Sequence, residues 1–184
     1  MTALRLIFIL ITLFFFSCTR DISSHITSPD GKILLEFSLE QGNPRFTVSF
    51  DGKKIIRPSA LGFSLKNGTD LSGNFRVVSA ESKTVDTSWV PVWGTDNKIR
   101  DQYNALELHL YSEQNALKLS LIFRAYNDGI AFRYIFPRQK ELDEFEIISE
   151  RTAFTFNEDL TSWWIPQDFE SYESYFNSKI TLEM

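Results

Sequence analysis

Leu117-Lys-Leu-Ser-Leu-Ile-Phe-Arg-Ala-Tyr-Asn-Asp-Gly-Ile-Ala-Phe-Arg-Tyr134 is the stretch whose reading decides the fold. Leu117, Leu119, Leu121 and Phe123 fall on one side and Lys118, Ser120 and Arg124 on the other. A period of two gives one buried and one wet face only in a strand. Asn127-Asp-Gly129 then offers residues that favour turn backbone. Ile130, Phe132, Tyr134 and Phe136 resume the apolar side around Arg133 until Pro137, which cannot donate to a ladder. Two antiparallel strands joined by a turn follow from these residues.

The same pattern extends in both directions. Upstream, Leu106, Leu108 and Leu110 alternate with Glu107 and His109, and Asn115 marks a break before Leu117. Ile33, Leu35, Phe37 and Leu39 alternate with Lys32, Glu36, Ser38 and Glu40, with Leu34 out of pattern. Gln41-Gly-Asn-Pro44 reads as a loop, and Phe46, Val48 and Phe50 as the next apolar face. Asp51-Gly52 predicts a tight hairpin, with a returning strand over Lys53–Ile56 that Arg57-Pro58-Ser59 ends. Phe63 with Leu65, Phe75–Val78, Phe145 with Ile147, and Phe154 with Phe156 complete the expected strands. No stretch carries an amphipathic helix over three turns. Many short alternating strands describe an all-β, antiparallel β-sandwich. The 184 residues suffice for one such domain with a sizeable core, and 17 phenylalanines suit strand packing.

The amino terminus reads differently. Arg5 precedes Leu6–Phe16, an apolar run interrupted only by Thr12, and Ser17-Cys18 follows. The run is short for a bilayer span and suits the apolar region of a secretory signal. Cys18 is the single cysteine, so no intramolecular disulfide can form. A small residue before Cys after such a run matches a bacterial lipoprotein cleavage box, with Cys18 as the lipidated residue; the alternative is a plain signal peptide with an incidental cysteine. The expected organisation is a signal peptide over 1–17, a short linker over 18–25, and a β-domain over 26–184 that is incomplete at its carboxy-terminal end. The expected location is periplasmic or on the outer membrane of a Gram-negative bacterium, exported and anchored through Cys18.

Charge and composition exclude several functions. Loss of the leader removes Arg5, leaving 18 basic against 24 acidic residues and a net charge of −6. That balance opposes nucleic-acid binding, which needs clustered positive charge. His25 and His109 are the only histidines, too few for a zinc cluster, and no nucleophile–base set or glycine-rich phosphate loop is legible. His109 reads as a solvated strand residue. Asp143, Glu144 and Glu146 read as a solvated face. The tail Ser162-Trp-Trp-Ile-Pro-Gln-Asp-Phe-Glu-Ser-Tyr-Glu-Ser-Tyr175 mixes aromatics with Asp168, Glu170 and Glu173. Aromatic faces stack on sugar rings, so Trp163 and Trp164 are candidate substrate-binding residues. Oxygen ligands of this kind also suit calcium. The plainer alternative packs Trp163, Trp164 and Tyr175 on a sandwich edge with the acids in solvent.

Several blocks in order carry a family resemblance: Ser28-Pro-Asp-Gly31, Arg57-Pro-Ser-Ala-Leu-Gly62, Trp89 with Trp93 in Ser88-Trp-Val-Pro-Val-Trp-Gly94, Tyr103-Asn104, Asn127-Asp-Gly129, Phe132-Arg-Tyr134 and Trp164-Ile-Pro166. Over about Ser28–Tyr175 the chain resembles the N-terminal domain of glycoside hydrolase family 97. The resemblance implies a galactose-mutarotase-like β-super-sandwich, present here in part. It also implies a place in exported α-glucosidases and α-galactosidases that act on α-linked glucoside or galactoside glycans. In that family the catalytic carboxylates belong to a (β/α)₈ barrel, and calcium is held by barrel glutamates and one front-domain glutamate, which Glu173 matches by position. The barrel is missing from these 184 residues, so no catalytic residue is expected and the chain alone is expected to be inactive. A separately encoded barrel is an expected partner. A stand-alone carbohydrate-binding lipoprotein, with Trp89, Trp93, Trp163 or Trp164 as a stacking platform, is the rival reading, and a non-functional fragment the third.

Overall fold

The computed structural model describes residues 23–158, 160–165 and 177–180. Among them, the alternating segments form strands and the only helical element is a short 3-10 turn at Lys140–Leu142. Strands β1 (Ser23–Thr27), β2 (Ile33–Glu40), β3 (Asn43–Phe50) and β4 (Lys53–Ala60) make one antiparallel sheet in chain order. Strands β6 (Phe75–Trp89), β7 (Ile99–Ser112), β8 (Leu117–Ala125) and β9 (Ile130–Ile135) make a second, also in chain order. Between them in sequence lies β5 (Phe63–Leu65), paired with β10 (Ile147–Glu150), and β11 (Thr161–Trp164) pairs with β12 (Asn177–Ile180).

Turn chemistry sets the register of the first sheet. Asp51 and Gly52 both have positive φ, 47° and 76°, the tight hairpin their types demand. Gln41 and Gly42, at 53° and 81°, make a second two-residue turn of this kind. The loop expected over Gln41–Pro44 is therefore shorter. Pro44 lies in β3 opposite Leu39, and its carbonyl accepts from the Leu61 amide at 3.1 Å.

Pro58 does not end β4 either. Phe46 pairs with Ser59 and Val48 with Ile56, so Arg57 and Pro58 together face one residue of β3. This bulge accommodates a residue without an N–H inside a strand. Ser59, fully buried, donates its hydroxyl to the Arg57 carbonyl and accepts from the Thr155 amide, both at 2.8 Å. The far edge of β4 is covered in turn by 153–157. There Arg57 N–H donates to Thr155 O at 2.8 Å and Ala153 N–H to Ala60 O at 2.9 Å. The strand expected around Phe154 and Phe156 is thus an extended cover strip with one bridge, Phe156 to Ile56. The expected linker also shortens, because Ser23–His25 belong to β1 and pair with Ser38–Glu36. The largest difference is β6, which runs 15 residues rather than the four of Phe75–Val78. Past Val78 its residues are mostly polar on both faces, so no periodicity marks them; pairing with β7 as far as Trp89–Ile99 holds them extended.

The two four-stranded sheets meet through aromatic side chains. Phe37 and Phe46 from the first sheet lie 6.2 Å, centroid to centroid, from Phe123 of the second. Phe132 stands 5.7 Å from both Phe46 and Phe123. Around them Leu35, Leu106, Leu108, Leu110, Leu119 and Leu121 are all but inaccessible to solvent. The residues that decided the fold in the sequence thus form the interior.

Two substitutions test this account. Phe123→Ala should cost about 3–5 kcal/mol, the usual range for emptying a packed phenyl site. Gly62→Ala should cost about 1–3 kcal/mol, because Gly62 sits at φ 145° and an added Cβ would lie 2.6 Å from the Leu71 carbonyl and the Ser72 Cα. Denaturant midpoints measure both. Gly68→Ala, at φ 87° with open space around its Cβ position, should cost clearly less than Gly62→Ala.

Candidate functional surface

The motif blocks collect at particular places on the sandwich. Ser28-Pro-Asp-Gly31 is the β1–β2 turn. Ser28 Oγ donates to Asp30 Oδ1 at 2.5 Å, and the Lys32 amide donates to the same oxygen at 3.1 Å. These bonds, the Ser28 one foremost, hold the Asp30 carboxyl below the usual carboxylate range. The Asp30 amide donates to Asn127 Oδ1 at 3.0 Å, joining this turn to the β8–β9 turn. Asn104 Nδ2 donates to the Thr27 carbonyl at 2.8 Å and joins β7 to β1. Three blocks far apart in sequence therefore meet at one end of the sandwich.

From that end an arm projects. The last residue of β8, Ala125, pairs with Asn104, whereas β6 and β7 continue for five more pairs, Val85–Tyr103 to Trp89–Ile99. At about 3.4 Å per residue the two-stranded arm extends roughly 17 Å past β8. Its base is pinned by Tyr103, almost fully buried, with Tyr126 at 5.1 Å and the Arg124 guanidinium 4.4 Å above the Tyr103 ring. Along the arm Arg100 makes a two-toothed pair with Asp86, Nε to Oδ1 at 2.7 Å and Nη2 to Oδ2 at 2.6 Å. That hydrogen-bonded pair lowers the Asp86 pKa and raises that of Arg100. At the tip Trp89 is 52% exposed, Val90 75%, Val92 99% and Trp93 87%. No sequence pattern distinguishes an arm from a sheet here, because the polar run Ser79–Ser88 reads alike in both.

Arg57-Pro-Ser-Ala-Leu-Gly62 and Phe132-Arg-Tyr134 meet elsewhere. The Gly62 amide donates to Tyr134 Oη at 3.2 Å, and Tyr134 Oη lies 2.7 Å from Thr152 Oγ1. Thr152 in turn donates to Glu150 Oε1 at 2.7 Å. With the threonine proton engaged there, the tyrosine donates to Thr152 and accepts from Gly62. These blocks are structural: one supplies a bulge and a glycine with backbone against it, the other a phenol that joins them.

The remaining sequence candidates lie in β11 or outside the described residues. Trp163 lies in β11 opposite Ser178 and is 68% exposed, so it does not pack as an edge residue in the interior. Trp164 lies in the same strand opposite Asn177. Cys18, Glu173, Asp168, Glu170 and Tyr175 lie outside the described residues. Among the described residues no group of three or more His, Cys, Asp or Glu side chains is placed to hold a metal ion.

One arrangement was not legible in the sequence. On the outer face of the second sheet His109 Nδ1 lies 2.8 Å from Ser120 Oγ, and His109 Nε2 3.6 Å from Glu107 Oε1. They line a groove of about 610 Å³ with Val78, Tyr111 and Ile135. The row has the composition of a nucleophile–base–acid set, but the backbone around it is engaged in the β7–β8 ladder. It therefore offers no pair of amides to an oxyanion, and acyl-transfer chemistry needs such donors. His109 and Ser120 are opposed residues of neighbouring strands, and their bond is a cross-strand contact.

A sandwich of two antiparallel sheets, tied at one end by its turn motifs and bearing a projecting arm, defines a β-sandwich module. Residues 26–184 match the family described as Glycosyl-hydrolase 97 N-terminal, and the chain belongs to glycoside hydrolase family 97 as its N-terminal domain. It is 28% identical over 137 residues to a retaining α-galactosidase of Bacteroides thetaiotaomicron, covering 74% of this chain and 19% of that protein. Its fold matches a family 97 enzyme from Pseudoalteromonas sp. strain K8, solved in complex with panose, with a TM-score of 0.78 and 33% identity over 84% of this chain and 24% of the other. A β-arabinopyranosidase crystal structure matches with a TM-score of 0.68 and 28% identity, over 78% of this chain and 22% of that one. The chain thus spans about a fifth to a quarter of the length of these relatives.

The Tyr134 cluster gives a test in solution. Burial pushes its phenol up to about 12, with a further push from Glu150, against the Gly62 amide, whose bond to Oη favours the ionised form. Below pH 10 the phenol is protonated in both folded and unfolded chains and its contribution is whole. As pH rises from about 10 to about 12 the unfolded chain gives up the proton first, so stability falls across that window. Tyr134→Phe should lower stability at neutral pH, by about 1–3 kcal/mol for the buried Gly62 amide left unpaired. It should also flatten the part of the alkaline loss due to this phenol, as followed by denaturant unfolding from pH 9 to 12.

Proposed function

We propose that this chain serves as the wall-forming front domain of an exported family 97 α-glycosidase, flanking the sugar pocket of a catalytic barrel and performing no hydrolysis itself. The observation that carries this reading is the match of residues 26–184 to the family's N-terminal domain, together with an all-β structure among the described residues. Glycoside hydrolysis needs two carboxyl groups on either side of the scissile bond, and the described carboxylates stand on exposed faces or in ion pairs such as Lys66–Glu146 and Arg76–Glu113. Domains of this fold occur both in a retaining α-galactosidase and in a β-arabinopyranosidase. In this reading the choice of sugar belongs to the barrel. Purified protein should show no turnover of aryl α-glucosides or α-galactosides above blank, and turnover that survives repurification overturns the reading.

In this reading Glu173 would offer one carboxylate to calcium. Calcium takes six to eight oxygen ligands, so one glutamate supplies a small fraction of a site and calcium affinity of the chain alone is weak. Export and anchoring rest on Leu6–Phe16 followed by Ser17-Cys18. Acyl chains contribute about 0.8 kcal/mol per buried methylene, enough for a multiply acylated Cys18 to hold the domain at a membrane. Cells expressing the chain should incorporate labelled palmitate into it, and Cys18→Ser should abolish the label; label retained in the variant overturns the anchor.

A second reading is favoured by the 68% exposure of Trp163. A free indole face is a stacking surface for a sugar ring, and it would make the chain a carbohydrate-binding module.

A further inference from the structure

We propose that the β6–β7 arm, tipped by Trp89-Val-Pro-Val-Trp93, is the element by which this domain grips the catalytic portion of a family 97 glycosidase. The inference rests on the front-domain reading and adds to it the docking element.

The tip is the most exposed apolar group among the described residues. Val92 is 99% exposed, Trp93 87% and Val90 75%, and Trp89 beside them 52%. An exposed contiguous apolar patch marks an interaction surface. A two-stranded ribbon by itself is marginal in water, yet this one is held at both levels. Tyr103, Tyr126 and Arg124 clamp its base, and the Asp86–Arg100 pair locks its two strands together. Exposed ion pairs add little stability, so the pair's main effect is to fix register and direction. A prepositioned arm loses little freedom when its tip is buried.

The composition of the tip selects the occupant. Indole faces alone would suit a sugar, but Val90 and Val92 offer branched aliphatic surface that stacks on no ring and forms no hydrogen bond with hydroxyls. Two indoles, two valines and a proline in one loop fit an apolar recess in a protein. The relatives that share this fold carry three quarters or more of their length outside the matched region, and the catalytic part of that remainder is the proposed partner. The base of the arm is also where the Ser28–Gly31, Tyr103-Asn104 and Asn127–Gly129 motifs bond to one another. Load on the arm therefore passes into both sheets.

The test uses the full 184-residue chain in mild detergent and the part of the Pseudoalteromonas enzyme that lies outside its match to this chain, shown by a cooperative melt to be folded before use. Association is followed by co-elution and by quenching of tryptophan fluorescence. The wild-type chain should bind saturably. The double variant Val92→Ser, Trp93→Ser should bind at least about tenfold more weakly, as loss of a buried aromatic anchor does, with an unchanged melting temperature for the chain alone. Equal binding by wild type and variant overturns the arm while leaving the front-domain reading intact. Absence of binding by both overturns that reading and the arm with it. Saturable quenching of Trp93 by panose without protein partner, or a concentration-dependent dimer that the double variant abolishes, also overturns the proposal, in favour of a sugar platform or a self-contact respectively.

Discussion

Contact between Phe37 and Phe46 of one sheet and Phe123 and Phe132 of the other is the constraint from which the rest of the architecture follows. Each four-stranded sheet has one apolar face, and neither is stable in water until that face is covered. The phenyl cluster closes the sheets on one another and fixes which side of every strand is inside. With the interior settled, Leu106, Leu108 and Leu110 must point in, and Glu107 and His109 must point out. The outward row of β7 then gives the cross-strand contact of His109 with Ser120, and farther along the same face the Tyr103–Arg124–Tyr126 stack. A one-residue slip in either sheet would exchange these faces completely. The left-handed turns at Gln41-Gly42 and Asp51-Gly52 guard against such a slip in the first sheet.

The sequence was legible wherever one face of a strand is buried and the other wet. β2, β7, β8 and β9 belong to this class, and their alternation named the interior residues correctly. Asp51-Gly52 was legible because its backbone preference is intrinsic to the residue types. Gln41-Gly-Asn-Pro44 was read as a loop, whereas only Gln41 and Gly42 turn and Pro44 is the second residue of β3 with its carbonyl still usable. Pro58 misled for a related reason. Proline forbids one amide bond and not extended backbone, and a bulge removes the need for that bond. Past Val78, β6 was not legible at all. Its residues are polar on both sides, and only the partner strand keeps them straight.

The site was less legible than the fold. The motif blocks were visible as words, but their physical meaning lay in long-range bonds: Asp30 to Asn127, Asn104 to Thr27, Gly62 to Tyr134. No local pattern announces a hydrogen bond between residues 72 to 97 positions apart. Trp89 and Trp93 were recognisable as paired aromatics, yet their position at the end of an arm depends on β8 stopping at Ala125 while its neighbours continue. Cys18 and Glu173 were named from the sequence and remain sequence-based proposals, because both lie outside the described residues.

The two margins of the sandwich are treated unequally. The β4 margin carries the 153–157 strip and a proline-bearing bulge, and its backbone is occupied. The β6 margin runs fifteen residues, and among the described residues no strand pairs with its outer side. An open strand of that length is a template for unwanted assembly, in which copies stack edge to edge into aggregates. Arg76, Glu81, Lys83 and Asp86 are spaced along it, and a copy laid against it would have to strip water from them. The polar run Ser79–Ser88 that hid this strand from any periodicity therefore also leaves a second copy little apolar surface to bury along it.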